Sequence, residues 1–242
     1  MSRGPHSSDT VLFASHQCNV LRTAVRDLAW LLGRGYAEPS ALKLVGDRYA
    51  LRQRQREAIR RGVCTDAQIE ARAARRCPID ALHGREVAID AFNCLITLES
   101  ALSGGVLVRG LDGVLRDLAS VHGSYRRNEA THLALDALAQ RLQASGVAQV
   151  RWFVDRPVSN SGRLREWILE RACPGIGWEV ELPHDADRAM IAEPGWVLAS
   201  ADAFILDRAE AWVDLCSAIV PVVRPDAWIV DLSRPPEDEA IP

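Results

Sequence analysis

The sequence predicts an α/β protein: a parallel sheet with helices on both faces, preceded by a small all-helical domain. Three observations lead there. From Glu86 onward, short apolar, β-compatible runs alternate with amphipathic stretches, the pattern of strand–helix–strand units. Between Leu21 and Cys77 apolar residues instead recur at spacings of three and four, a helical period. The change in texture falls just after Pro78, which closes the first segment. The implied organisation is a disordered N-terminus over 1–20, a basic helical domain over 21–80, an α/β domain over 85–233 and a flexible tail over 234–242.

Residues 1 to about 18 are polar with Gly, Pro and Ser, a composition that favours disorder. Leu21, Val25, Leu28, Leu31 and Leu32 mark a first helix, and "GRGYAEPSAL" breaks it. In "ALKLVGDRYALRQRQREAIRRG" Leu44, Leu51 and Ala58 or Ile59 fall on one face. Arg48, Arg52, Arg56 and Arg60 recur every fourth residue, which on one helix forms a basic stripe. Gly62 ends that helix and Thr65 caps "DAQIEARAARR". Beyond Glu86, "VAIDAF", "AQVRWFVD", "GWEVELP", "GWVLASAD", "AIVPVV" and "AWIVDL" read as strands. "NCLITLESAL", "SGRLREWILERA", "DADRAMIAE" and "AFILDRAEAWVDL" read as helical. "GGVLVRGLDG" is loop-like with room for a short strand, and "VLRDLASVHGSYRRNEATHLALDALAQRLQAS" reads as one or two helices.

At 242 residues and 48% hydrophobic, the chain can bury a sizeable core. No apolar run approaches bilayer length and the polar start lacks a secretory signature, so the sequence assigns a cytoplasmic protein. Six scattered cysteines without a CxxC pair argue for free thiols over zinc or disulfides. Lys43 is the single lysine, so chemistry that needs a catalytic lysine has one candidate. The net charge of −3 is uneven: residues 22–76 carry +7, from 13 basic and 6 acidic side chains, and the remainder carries −10. That split suggests a basic surface for a polyanion beside an acidic region, although a solvated helical face gives the same composition. Trp30, Trp152, Trp167, Trp178 and Trp212 read as packing residues rather than base-stacking platforms.

Asp90, Asp155 and Asp202 each end a strand-like run, so in a parallel sheet they share its carboxyl edge, where such sheets bind ligands. Asp207 follows Asp202 by five residues, and Asp187 precedes the third of these strands. Gathered carboxylates repel and raise one another's pKa unless a cation lies between them. The fitting occupant is Mg2+ or Mn2+, held by hard oxygen ligands and able to activate water for phosphodiester cleavage. Each aspartate also suits helix capping. Asn93 either orients a metal-bound water or phosphate, or caps a helix. Ser159, Asn160 and Ser161 open a helix whose amides and hydroxyls can hold a phosphate, with Arg156 and Arg163 beside them. His122, among Arg116, Tyr125, Arg126 and Arg127, suits a structural role better than a general acid, and His184 suits a loop.

"IDAFN", "FVDRPVSNSGRL" and "LASADAFILD" resemble the acidic motifs of PIN-like nucleases and their NYN relatives. Residues 21–233 as a whole resemble the family called domain of unknown function 434, whose C-terminal part looks PIN-like. The resemblance implies a PIN-like parallel sheet with an acidic edge. It implies that Asp90 is the first-strand aspartate, Asp155 the central-strand one, Asp202 the late "(S/T)xD" aspartate and Asp207 the acid after it. A helix-borne acid of that fold is left between Glu99 and Glu129.

These readings make a metal-dependent endoribonuclease the expected function. Asp90, Asp155, Asp202, Asp207 and Asn93 would be catalytic, with Asp90, Asp155, Asp187, Asp202 and Asp207 on Mg2+ or Mn2+. Arg48, Arg52, Arg56, Arg60, Ser159, Asn160, Ser161 and Arg163 would bind nucleic acid, with RNA favoured over DNA. No membrane partner is expected, and self-association into a homo-oligomer is left open. The alternative is a non-catalytic RNA-binding protein with a degenerate PIN-like domain. A dehalogenase-type phosphohydrolase fits less well, because it wants a second aspartate two residues after Asp90, where Phe92 stands. No GxGxxG follows the first strand to support dinucleotide binding.

Overall fold

The computed structural model describes residues 4–119 and 129–236. The chain begins with helices α1 (Asp9–Leu12), α2 (Ser15–Gly33), α3 (Glu38–Arg48), α4 (Gln53–Gly62) and α5 (Asp66–Ala74). A short 3-10 turn leads into β1 (Glu86–Asp90), α6 (Ala91–Leu102), β2 (Leu107–Arg109) and β3 (Leu115–Asp117). There follow α7 (Glu129–Ser145), β4 (Gln149–Phe153), α8 (Ser161–Leu169), β5 (Gly177–Glu181), α9 (Ala186–Ile191) and β6 (Val197–Ala199). The last elements are α10 (Ala203–Leu206), β7 (Ala211–Val213), α11 (Leu215–Val223) and β8 (Ile229–Asp231).

Five strands form the main sheet in the order β5-β4-β1-β6-β7, every pair parallel. Alternate side chains of β1 explain why both faces are covered. Val87 and Ile89 enter one core with Leu95 of α6, Leu138 of α7, Ile168 of α8 and Ile219 of α11. Ala88 enters the opposite core with Met190 of α9, Ile205 of α10 and Trp212 of β7. From β1 the chain builds outward to β4 and β5, then returns to add β6 and β7 on the other side. The reversal lies between β1 and β6, and a crevice opens at the carboxyl ends of such a strand pair.

A second sheet, β3-β2-β8, roofs the helical region. Val106, Val108, Val230 and Leu232 share one buried core with Leu21, Val25, Leu28, Val45 and Ile59. The N-terminal helices are thus packed into the body of the protein. Among the described residues no helix is long and apolar enough to cross a membrane.

Several elements differ from the sequence reading. Residues 1–20, expected to be disordered, contain α1 and the start of α2; Asp9 is fully buried against Arg54, and Phe13 joins the core. The single arginine-rich helix is two, broken where Ala50 adopts φ 50°, and α4 starts after Arg52, whose N–H the Gln55 side chain accepts at 3.0 Å. Residues 115–117 form a strand rather than a helix. The turn before them uses Gly113 at φ 75°, and Gly113 N donates to Gly110 O at 2.9 Å. "AIVPVV" lies in α11 rather than a strand, because Asp214 accepts Ser217 N at 2.8 Å and starts a helix. In "AFILDRAEAWVDL" only Ala203–Leu206 and the terminal Leu215 are helical, and Ala211–Val213 pairs with β6 instead. Trp30 and Leu44 are 56% and 59% exposed, not packed.

Candidate functional site: an acidic crevice beside an arginine-lined cavity

The crevice between β1 and β6 is closed at its floor by a chain of polar contacts. Asp90, the last residue of β1, accepts the Asn93 N–H on Oδ1 at 3.1 Å and so caps α6. Its Oδ2 accepts the Ser200 hydroxyl at 2.9 Å, across from the end of β6. The Ser200 oxygen in turn accepts the Asp202 N–H at 3.0 Å. Asn93 Oδ1 accepts the Ala201 N–H at 2.9 Å. Asp202 caps α10 by accepting Phe204 N–H at 2.7 Å. Asp155, two residues past β4, accepts Ala186 N–H at 3.0 Å and fixes the start of α9, whose first turn carries Asp187.

Helix capping and carboxylate clustering, weighed as alternatives in the sequence, therefore coexist. The edge is electrostatically crowded. Burial pushes the Asp90 carboxyl up to about 7; the Asn93 N–H works against this, and the charges of Asp187 and Asp202 add to it. Burial also lifts Asp187 to about 6, helped by Asp202, Asp155 and Asp185. Asp187 thus feels Asp155 and Asp202, and Asp90 feels Asp187 and Asp202, at one end of the sheet. Among the described residues, no group of three or more His, Cys, Asp or Glu side chains is arranged to hold a metal ion.

Asp207 is engaged elsewhere. Its carboxylate takes Gln68 Nε2 at 2.8 Å and the Arg72 guanidinium at 2.7 Å. Arg72 is 1% exposed and also meets Asp112 at 2.6 Å, which Arg116 grips at 2.8 and 2.7 Å. Burial alone would raise Asp112, but Arg116 and Arg72 hold it down at about 2. Arg116 Nε donates to Ala201 O at 2.9 Å, tying this buried network to the segment that carries Asp202. Glu99 is buried on α6, roughly 13 Å along the helix from Asp90 at 1.5 Å per residue, and accepts the Thr131 hydroxyl. Glu129 is exposed at the start of α7.

Ser159, Asn160 and Arg163 are exposed around the start of α8, and Asn160 takes a left-handed φ of 70° without a side-chain cap. Ser161 donates to Arg156 O at 3.2 Å. Arg156 approaches His184 at 3.5 Å. His122, Tyr125, Arg126 and Arg127 lie outside the described residues.

The break between α3 and α4 divides the arginine stripe. Arg48 lies over the Tyr49 ring, 5.6 Å from its centroid, beside exposed Trp30 and Leu44. Arg56 is tied to Leu51 O at 2.9 Å and Asp47 at 2.8 Å. Arg52 and Arg60 face another groove. Arg60 also lines a cavity of about 350 Å3 between the helical layer and the acidic crevice, opposite Asn93, Asp117 and Asp202. Glu57 keeps Arg60 charged more strongly than usual, and Glu38 and Asp202 reinforce it. Arg61, Arg72 and Arg116 complete the basic lining. The sequence reading singled out neither Arg61 nor Arg72. The Arg60–Arg61 pair placed three and four residues after Glu57 was the available signal. Asp112 falls in the loop-like "GGVLVRGLDG" and Arg116 in the stretch expected to be helical, so nothing local marked their pairing across the β2–β3 turn.

Fold and site together define a class: a parallel α/β domain with an acidic crevice at its strand reversal and a helical layer packed against that edge. The chain belongs to the family described as Domain of unknown function (DUF5616), whose model matches residues 79–218. The preceding residues 20–75 match a second model, Protein of unknown function (DUF434). The resemblance to the 434 family is thus located in the helical region, and a distinct family covers most of the sheet. An uncharacterized protein of Methanocaldococcus jannaschii is 31% identical over 151 residues, spanning 62% of this chain and 72% of that protein. No solved structure matches the chain.

Proposed function

We propose that the protein is a PIN-like, divalent-metal-dependent nuclease that hydrolyses phosphodiester bonds, with RNA as the favoured substrate. The supporting observation is the gathering of Asp90, Asp155, Asp187 and Asp202 at the carboxyl edge of a parallel sheet, beside a cavity lined by arginines. The donors suit a hard cation in chemistry: all are carboxylate oxygens, and burial, with repulsion from neighbouring aspartates added, raises Asp90 and Asp187. Such an ion, Mg2+ or Mn2+, would supply charge neutralisation and an activated water. Asp90, Asp187 and Asp202 would hold it, with Asp155 positioning α9. Asn93 lines the cavity with its Oδ1 committed to Ala201, so its amide N–H groups are the part that can donate to a phosphate. Arg60 and Arg61 would bind phosphate oxygens. Asp207, held by Arg72 and Gln68, would act as support.

A second reading, RNA binding without cleavage, draws on a different observation. The described residues hold no ready-made group of three metal-ligating side chains, and both Asp90 oxygens already accept hydrogen bonds. The two readings separate in one experiment. Labelled RNA and DNA are incubated with the protein and Mn2+, then with EDTA. The nuclease reading expects cleavage that EDTA abolishes and that Asp90→Asn and Asp202→Asn reduce by at least roughly 100-fold. Binding with no cleavage in Mn2+ or Mg2+ would leave the second reading.

A further inference from the structure

A second cavity, about 840 Å3 in volume, runs along α4 beside the N-terminal segment that carries His6 and Ser8. Arg52, Arg54, Arg60 and Arg61 line it, and among the described residues Glu57 is the one carboxylate in its wall. Arg60 and Arg61 belong to both this groove and the cavity that contains Asp202. They are the wall the two spaces share.

The charges along the groove are unequally compensated. Arg54 is neutralised by buried Asp9, which it contacts through two nitrogens. Arg52 is exposed and makes no ion pair among the described residues. Arg60 and Arg61 share Glu57, at 2.7 and 2.8 Å, and Arg61 also lies 3.4 Å from the Asp117 carboxylate. Arg61 is held in place by the main-chain oxygens of Asp117 and Ala119, at 3.0 and 2.9 Å. Arg60 is 42% exposed and also lies 3.9 Å from Glu38, so it can swing between partners. A fixed guanidinium beside a movable one, with the exposed Arg52 further along the groove, suits an incoming phosphate.

We infer that one polynucleotide strand lies in the α4 groove and passes over Arg60 and Arg61 into the acidic cavity, these two residues gripping the phosphate next to the one cleaved. This rests on the nuclease reading for the chemistry at Asp90, and on the groove alone for binding. The substrate class is single-stranded RNA. Both cavities are concave, and Asp90, which caps the helix that carries the cavity-lining Asn93, is only 8% exposed. A duplex presents its phosphates on a convex surface, whereas a basic groove tracks the backbone of one strand. The helical layer thereby supplies half of the site rather than a separate binding module.

The test uses the full chain carrying Asp90→Asn in EDTA, so that nothing is cut, and fluorescence anisotropy of a labelled oligouridylate of about 12 nucleotides, long enough to fill such a groove. Arg60→Ala is expected to weaken binding on the order of tenfold and to lower the salt slope by about one. Arg52→Ala should act in the same direction but more weakly, and Arg48→Ala, on the other face, should change neither quantity. Arg61→Ala removes main-chain contacts, so its melting curve is recorded first and Arg60→Glu serves in its place if it is unfolded. A blunt duplex RNA should bind at least tenfold more weakly than the single strand. An unchanged affinity and slope in Arg60→Ala, or equal binding of duplex and single strand, overturns the track. Tight Arg60-dependent binding by a wild-type chain that never cleaves in Mn2+ would retain the track and overturn the nuclease reading. Cleavage unaffected by Arg60→Ala would do the reverse.

Discussion

Two clusters of buried and half-buried carboxylates lie within a few residues of each other and behave in opposite ways. Around Asp112 and Asp207, the guanidiniums of Arg72 and Arg116 are interleaved with the acids, and Asp112 is held at about 2. Around Asp90, Asp187 and Asp202 no such cation is interleaved in the contacts of the floor among the described residues, and the carboxyls of Asp90 and Asp187 rise to about 7 and 6. The first arrangement stabilises a joint between α5, the β2–β3 hairpin and the segment after β6. The second holds Asp90 and Asp187 toward their protonated forms where a parallel sheet opens a crevice. The contrast separates acids whose counter-charges are built in from acids raised by burial and by one another.

The largest expected effect breaks the compensated cluster. Arg72→Ala leaves Asp112 with Arg116 alone and Asp207 with Gln68, both at a buried joint. Urea denaturation should show a loss of about 3–5 kcal/mol. A loss below about 1 kcal/mol would remove the contrast. Asp90→Asn tests the other cluster. In the folded chain the acid titrates near 7, against about 3.9 unfolded, so the folded state binds the extra proton. Stability therefore falls as pH rises from about 4 to about 7, and the full penalty stands above 7. In EDTA, Asp90→Asn should leave stability near pH 4 little changed and raise it at about pH 8 by a few kcal/mol. Equal effects at both pH values would contradict the assignment. The smallest effect separates capping from repulsion at Asp202. Asparagine caps as well as aspartate, so Asp202→Asn should change stability by less than about 0.5 kcal/mol, whereas Asp202→Ala should cost about 1 kcal/mol. In Asp202→Asn the Asp187 carboxyl should titrate at lower pH by NMR, because one repelling charge is gone.

The alternation beginning at Glu86 made the sheet and its flanking helices legible, and with them the common edge of Asp90, Asp155 and Asp202. Periodicity carried that far because β1, β4 and β6 are short, largely buried runs; Asp90 and Asp202 cap the helices that follow β1 and β6, and Asp155 after β4 positions α9. Where competing signals met, the reading failed. The apolar run around Ile219 and Val220 suggested a strand, but the Asp214 cap set a helix that tolerates Pro221. The regular spacing of Arg48, Arg52, Arg56 and Arg60 suggested one face, but the left-handed turn at Ala50 sends Arg56 to Asp47 and Arg60 toward Asp202. Asp207 looked like a site residue by position, yet its partners Gln68 and Arg72 lie far earlier in the chain, at separations of 139 and 135 residues. Long-range pairing of this kind leaves no local trace in a sequence.

The core beneath the second sheet sets a limit on how this architecture can be taken apart. Val108 and Val230 are covered by Leu21, Leu28 and Ile59 from the helical region. A chain beginning at residue 79 would present that apolar surface to water and lose one bank of the arginine-lined channel in the same cut. Any lineage that kept the sheet while discarding the helices would have had to replace both a lid and a set of charges at once.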